Sequence, residues 1–373
     1  MIRMTAAKLM MAALIAPLAF GANYLMYVGT YTNGKSKGIY AFRFDSASGQ
    51  ATPLGLAAET ANPSFITIHP NRKYLYAVGE MDGGAVHAYA VDTATGKLKL
   101  LNTVGSQGAG PCHLNVDSTG RNLLVVNYNS GSTAVFPIAE DGSLKAASST
   151  VQHKGSSANP QRQSGPHAHS VNLSPDNRFA IVADLGLDEV KVYKFDAAAG
   201  TITPNEPPAA KVKPGSGPRH FSFHPNGKRA YVINEMGLAI TAFKWNAKNG
   251  VLTETQTIST LPPDFTGSKA GFSTAEVLVH PSGKFVYGSN RGHNTIAVFR
   301  VQGDKLAYVE NVDTQGKTPR NFRIDPSGQF LLAENQGSDS IVIFKIDQKT
   351  GKLTPTGQKL DVGAPVAIRF LAL

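Results

Sequence analysis

Along most of this chain, apolar and polar positions alternate in runs of five to seven residues, and the runs are punctuated by Pro, Gly and Asn. The stretch Gly217–Gly237 shows the unit clearly. Alternate apolar positions over Arg219–Phe223 predict a strand, His-Pro-Asn-Gly-Lys a turn, and Arg229–Ile233 a second strand that ends in polar residues. The runs are aromatic and β-branched, and few gaps between Gly and Pro are long enough for a helix. The pattern is that of an all-β protein.

The unit repeats at about 50 residues, the range of propeller blades. Its second strands read YVGTYT from Tyr27, YAVGEM from Tyr76, LVVNYN from Leu124, IVADLG from Ile181, YVINEM from Tyr231, YGSNRG from Tyr287 and LAENQG from Leu332, seven copies in all. Strands of this kind cannot bury both faces within one repeat, so neighbouring repeats must stack. The termini choose a ring over an open stack. The chain starts with a second strand at Tyr24 and ends with a first strand, Pro365–Leu373, so the two ends complete one blade between them. The expected fold is a seven-bladed β-propeller, one domain over residues 22–373, closed by the N- and C-terminal strands. Gln152–Ser164 and Pro204–Gly217 lack the alternation and are expected to be insertions between strands.

Before the repeats lies a different sequence. Arg3 and Lys8 precede the apolar run Leu9–Phe20, and Ala19-Phe20-Gly21 offers a small-x-small cleavage site. The run is short for a bilayer span and fits an export signal over residues 1–21, giving a periplasmic or secreted protein with no membrane association once it is removed. The single cysteine, Cys112, excludes a disulfide framework and a cysteine metal cluster. The net charge of +10 favours anionic ligands, but no run of like charge or basic helix points to nucleic acid.

A residue that serves the frame should recur at its place in each repeat. His69, His224 and His280 do so, in the turn between the strands, and are assigned to local hydrogen bonding. Two columns vary instead. Just after the second strand stand Tyr31, Glu80, Tyr128, Leu185, Glu235, Arg291 and Gln336. At the opening of the first strand stand Ser64, Cys112, His169, Arg219, Ala275 and Arg320, followed by Phe65, His113, Ser170, His220, Glu276 and Asn321. In a propeller these columns meet at one mouth of the central channel, where unlike charged groups make a polar pocket.

Tyr27–Asn33, Gly165–His169 (GPHAH), Asp184-Leu185-Gly186, Gly217–His220 (GPRH), Asn234-Glu235, Asn290-Arg291 and Pro319-Arg320 together resemble the seven-bladed propeller lactonase family across the whole mature chain. Its best-known members are propeller-type 6-phosphogluconolactonases, and a fungal carboxymuconate lactonising enzyme is a further relative. The resemblance implies hydrolysis of a sugar lactone, with a His of GPHAH, Arg219, Glu235 and Arg291 carrying the reaction. The candidate catalytic residues are therefore His167, His169, Arg219, Glu235 and Arg291, and the candidate substrate-binding residues His220, Glu276, Arg320 and Gln336.

In this reading Glu235 or a neutral His activates water, Arg219 or Arg291 stabilises the oxyanion, and Arg320 holds a substrate carboxylate or phosphate. No cofactor is expected: His167 and His169 would share a strand face as a metal pair requires, but no third ligand is evident. Cys112 and His113, adjacent on a strand, are expected to point to opposite faces and not to act together. The expected partner is a small anionic or sugar lactone, bound by a monomer. Two other readings stay open: a lyase that closes a muconate-type lactone, and an extracytoplasmic propeller that binds without catalysis.

Overall fold

The computed structural model describes residues 23–373, so the expected export signal lies outside the described residues. These residues form seven four-stranded antiparallel sheets. The unit predicted around Gly217 is realised as Pro218–Phe223, Arg229–Asn234, Ala239–Asn246 and Val251–Ser259. We call this sheet blade 5, numbering in chain order. Each blade has its first strand at the channel and its fourth at the rim. Blade 1 takes three strands from the N-terminus, Asn23–Thr30, Gly38–Asp45 and Ala51–Glu59, and its innermost from the C-terminus, Pro365–Ala372. Tyr24 pairs with Ala372 and Val28 with Ile368, which closes the ring as the terminal pattern predicts.

The apolar core lies between blades. Ile181, Ala183 and Val190 of blade 4 pack on Val232 and Phe243 of blade 5, and Trp245 meets the edges of Phe179 and Phe223 at 5.6 and 5.4 Å. Two rings of polar contacts then rivet neighbours together. On one face His69, His224 and His280 each donate from Nε2 to the carbonyl of the next blade's turn glycine, Gly120, Gly283 and Gly328, at 2.7–2.8 Å. On the other face Asn127, Asn290 and Asn335 each donate to a carbonyl leading out of the preceding blade, at 3.0 Å. The repeated histidines are thus frame residues, but the bonds they make join blades as well as tie their own turns.

One insertion was misread. Pro204–Lys211 belongs to the fourth strand of blade 4, Thr201–Lys211, which a register shift carries past its prolines. Edge strands tolerate proline, because an outward N–H has no ladder partner to lose. The other insertion is a loop, and it reaches the channel mouth.

Candidate active site

The first strands do not alternate where they open. Register shifts separate Pro111 from His113, Ala168 from Ser170, Pro218 from His220, Thr274 from Val277 and Pro319 from Asn321. Each is a β-bulge at the variable column, and a bulge re-aims a side chain that regular pleating would send to the opposite face. Consecutive residues such as Arg219 and His220 therefore both line the channel. The same holds for Cys112 and His113, against the expectation from strict alternation. Cys112 is nevertheless no nucleophile, since burial pushes its thiol pKa far up.

The upper mouth, where first strands begin and second strands end, carries a cluster of ion pairs. Glu235 accepts from Arg219 Nε at 3.0 Å, from Arg291 Nη2 at 2.9 Å and from Arg162 Nη2 at 2.7 Å. Burial alone would raise the pKa of this carboxyl, but Arg291, Arg219 and Arg162 outweigh it and hold it at about 2. Arg219 is itself buried and bonds the carbonyl of Ala275 at 2.7 Å. Burial and the nearness of Arg320 and Arg291 bring its pKa down to about 10, so it stays a cation.

Beside this cluster lies a recess of about 10 Å³, lined by Ser64, Glu80, His169, Arg219 and Arg320 among others. That volume suits one water molecule. Arg320 donates to Tyr31 Oη at 3.0 Å, and Tyr31 donates in turn to Glu80 Oε2 at 2.8 Å, which also accepts from Ser64 Oγ. His169 is buried, and its side-chain hydrogen-bond geometry is limited to a 3.9 Å contact with Cys112 Sγ. Burial, then Arg219, His220 and Arg320, push its pKa well below the ordinary value, so the imidazole is neutral at pH 7. Beneath it the rings of Phe65, His113 and His220 meet at 4.0–5.9 Å and divide the channel.

The model of the family described as "Lactonase, 7-bladed beta-propeller" matches residues 25–370 of this chain. The chain belongs to the seven-bladed β-propeller lactonase family. A 6-phosphogluconolactonase of Bacillus subtilis is 39% identical over 351 residues, covering 93% of this chain and 98% of that one. A 6-phosphogluconolactonase of Formosa agariphila is 37% identical, covering 92% of this chain and 99% of its own. The solved structure of a periplasmic gluconolactonase of Pseudomonas aeruginosa has a TM-score of 0.88 at 34% identity, covering 94% of this chain and 99% of that chain.

Within this lactonase-family mouth the expected residues divide. His169, Arg219 and Arg320 share the recess. Glu235 and Arg291 sit together behind Arg219; Arg291 also bonds the carbonyl of Thr274 at 2.8 Å. His167 does not share a strand face with His169. It precedes the strand Ala168–Leu173, stacks on Tyr128 at 4.5 Å and donates from Nδ1 to the carbonyl of Tyr128 at 2.9 Å. His220 lies in the dividing layer and bonds Glu276 at 2.9 Å, and Glu276 lines the cavity on the far side of that layer. Gln336 is half-buried in a short turn, Gln336–Ser338, outside the recess. Among the described residues no three His, Cys, Asp or Glu side chains converge as metal ligands.

Sequence reasoning missed Arg162. It sits in the loop between Ser149–Gln152 and Ala168–Leu173, has no counterpart in other repeats, and reaches Glu235 and Tyr128 Oη. Its one signal was a place just ahead of GPHAH. Asp184 and Asp188 serve turns: Asp184 accepts from the amides of His167 and Gly186, and Asp188 from those of Gly215 and Gly217.

Proposed function

We propose that this protein hydrolyses a sugar lactone at the upper mouth, with His169 as the base, Arg219 as the oxyanion partner and Arg320 as the anchor for an anionic or hydroxylated part of the substrate. One observation carries the assignment of roles. A neutral buried imidazole and two guanidiniums surround a recess of single-water size. His169 takes a proton from water, and the hydroxide adds to the lactone carbonyl. Arg219 lies where charge develops on the carbonyl oxygen, the kind of contact whose loss costs on the order of 10²–10³ in rate. Collapse breaks the ring C–O bond, and the imidazolium returns its proton to the departing alkoxide, leaving the open-chain acid. Glu235 is the wrong group for proton abstraction at a pKa of about 2, and its work is to position Arg219 and Arg291.

The proposed substrate is an unphosphorylated aldonolactone such as gluconolactone, met outside the cytoplasm. The charged and apolar character of residues 1–21 supports export, and the relative from Pseudomonas aeruginosa is a periplasmic gluconolactonase. All the proposed groups come from one chain, so a monomer suffices. The test is a pH-stat assay of gluconolactone and its 6-phosphorylated form, with and without a chelator. Faster turnover of gluconolactone, insensitivity to the chelator, and a loss of ~10²–10⁴ in kcat for His169→Gln are expected. Unchanged kcat in a folded His169→Gln protein would overturn the role of His169. Mass spectrometry of periplasmic protein should find its N-terminus near Ala22 or Asn23.

A further inference from the structure

Below the dividing layer the channel widens into a cavity of about 650 Å³ that opens at the lower mouth. One layer of its wall is a ring with one side chain from each blade, three positions beyond the variable column: Thr67, Asn115, Asn172, Ser222, Leu278, Arg323 and Arg369. Six of the seven can form hydrogen bonds, and none is a carboxylate. The two arginines stand on adjacent blades, in Pro319–Ile324 and Pro365–Ala372.

What sets this ring apart is how little of it is used. Among the described residues neither Arg323 nor Arg369 has an ion-pair partner within 4.0 Å. Arg369 bonds the carbonyl of Ile368 at 2.6 Å and lies over the ring of Phe65 at 4.6 Å. Asn172 Nδ2 is buried without an acceptor. Nearby carboxyls act on the pair only through space. Glu276 is bonded to His220, and Asp325 is tied into its turn by Ser327 and the amide of Phe330. Glu334 has no hydrogen-bond partner on either oxygen. Burial raises the Glu334 pKa well above the ordinary carboxyl value, while burial and Arg323 lower that of Arg369 to about 9. Two half-buried, mutually repelling guanidiniums thus face open space with no carboxylate paired to either.

We infer that the lower cavity is a second ligand site, separate from the upper mouth, for a small polyhydroxylated acid anion whose acidic end lies between Arg323 and Arg369 and whose hydroxyls meet Thr67, Asn115, Asn172 and Ser222. The guanidinium pair supplies charge and bidentate geometry for a carboxylate or phosphate. The Asn, Thr and Ser ring supplies both donors and acceptors, as a sugar-derived chain needs. A cavity of 650 Å³ is within the range of small-molecule sites. The inference does not depend on the chemistry proposed above the dividing layer.

Calorimetry on the full mature protein tests it with three probes: gluconate, its uncharged analogue sorbitol, and inorganic phosphate. Gluconate should bind, with sorbitol at least tenfold weaker. The double substitution Arg323→Gln with Arg369→Gln should weaken gluconate at least tenfold, while His169→Gln should leave this binding unchanged. If the double variant does not fold, Asn172→Ala and Thr67→Val serve instead, and should weaken gluconate several-fold but not phosphate. Absence of gluconate binding, equal binding of sorbitol, tighter binding of phosphate than of gluconate, or loss of binding in His169→Gln would each overturn the inference.

Discussion

At the scale of single residues, the upper mouth depends on what each charged group's neighbours do to it. Glu235 and His169 are both buried, yet their pKa values fall for different reasons. Three guanidiniums hold the carboxyl ionised, whereas burial among cations holds the imidazole neutral. For catalysis the base must be unprotonated, so a depressed His169 pKa moves the acid limb of the kcat profile below pH 6.5, the ordinary histidine value. Activity should stay flat from pH 8 down through neutrality, a course that initial rates across pH 4–8 would reveal. Glu235→Gln should lower kcat by roughly 10²–10³ through misplacement of Arg219, with a smaller rise in KM. Its stability carries a second signature. A folded-state pKa of about 2 against 4.5 corresponds to about 3 kcal/mol, present above pH 4.5 and lost as pH falls toward 2. Denaturant titrations at pH 7 and pH 3 should show that the wild type loses more stability on acidification than Glu235→Gln does.

At the scale of elements, a repeated hairpin becomes a blade interface through its turn. His224 accepts from the amide of Asn226 at 3.1 Å through Nδ1, which leaves Nε2–H to reach Gly283 in the next blade at 2.8 Å. Gly283 has φ +71°, and a Cβ there would stand 2.6 Å from the imidazole, so the turn and the rivet require each other. Replacing His224 with Ala leaves a buried carbonyl without its donor and should cost about 1–3 kcal/mol. A lower Tm with kcat and KM unchanged is the expected result, because this turn is on the face remote from the upper mouth. The bulges at the first-strand openings are the other device at this scale. They let Arg219 face the recess while His220, its neighbour, fills the dividing layer.

At the scale of the molecule, closure converts seven marginal sheets into one structure. The strand Pro365–Ala372 buries Ala367, Ile368 and Leu371 and covers the edge of Asn23–Thr30. Burial of Ile368 and Leu371 alone contributes about 1.5–3 kcal/mol each. Removing Pro365–Leu373 would uncover that edge and the apolar face beside it. Light scattering and thermal melting should find the truncated protein aggregated or far less stable. A monomer with the parent Tm would argue against a single cooperative domain. The same closure sets Arg320 beside Tyr31, a pair drawn from opposite ends of the chain, and brings the last strand's Arg369 near Arg323.

Much of this was legible in the sequence because a repeat protein states its frame several times. Comparing copies separated His69, His224 and His280 from Arg219, Glu235 and Arg291, and the mismatched termini implied closure. The periodicity could not reveal a bulge, which adds one residue to a strand without altering the apolar count. That is why His167 with His169, and Cys112 with His113, were placed on the wrong faces. Nor could it reveal Arg162, whose loop repeats nowhere, or that Glu235 meets three cations at once. Local pattern determines strands, turns and their order, since those depend on neighbours in the chain. Which charges lie within 3 Å of each other, and so which carboxyl is held by three guanidiniums and which imidazole is kept neutral, was decided only when seven separate stretches converged on one channel.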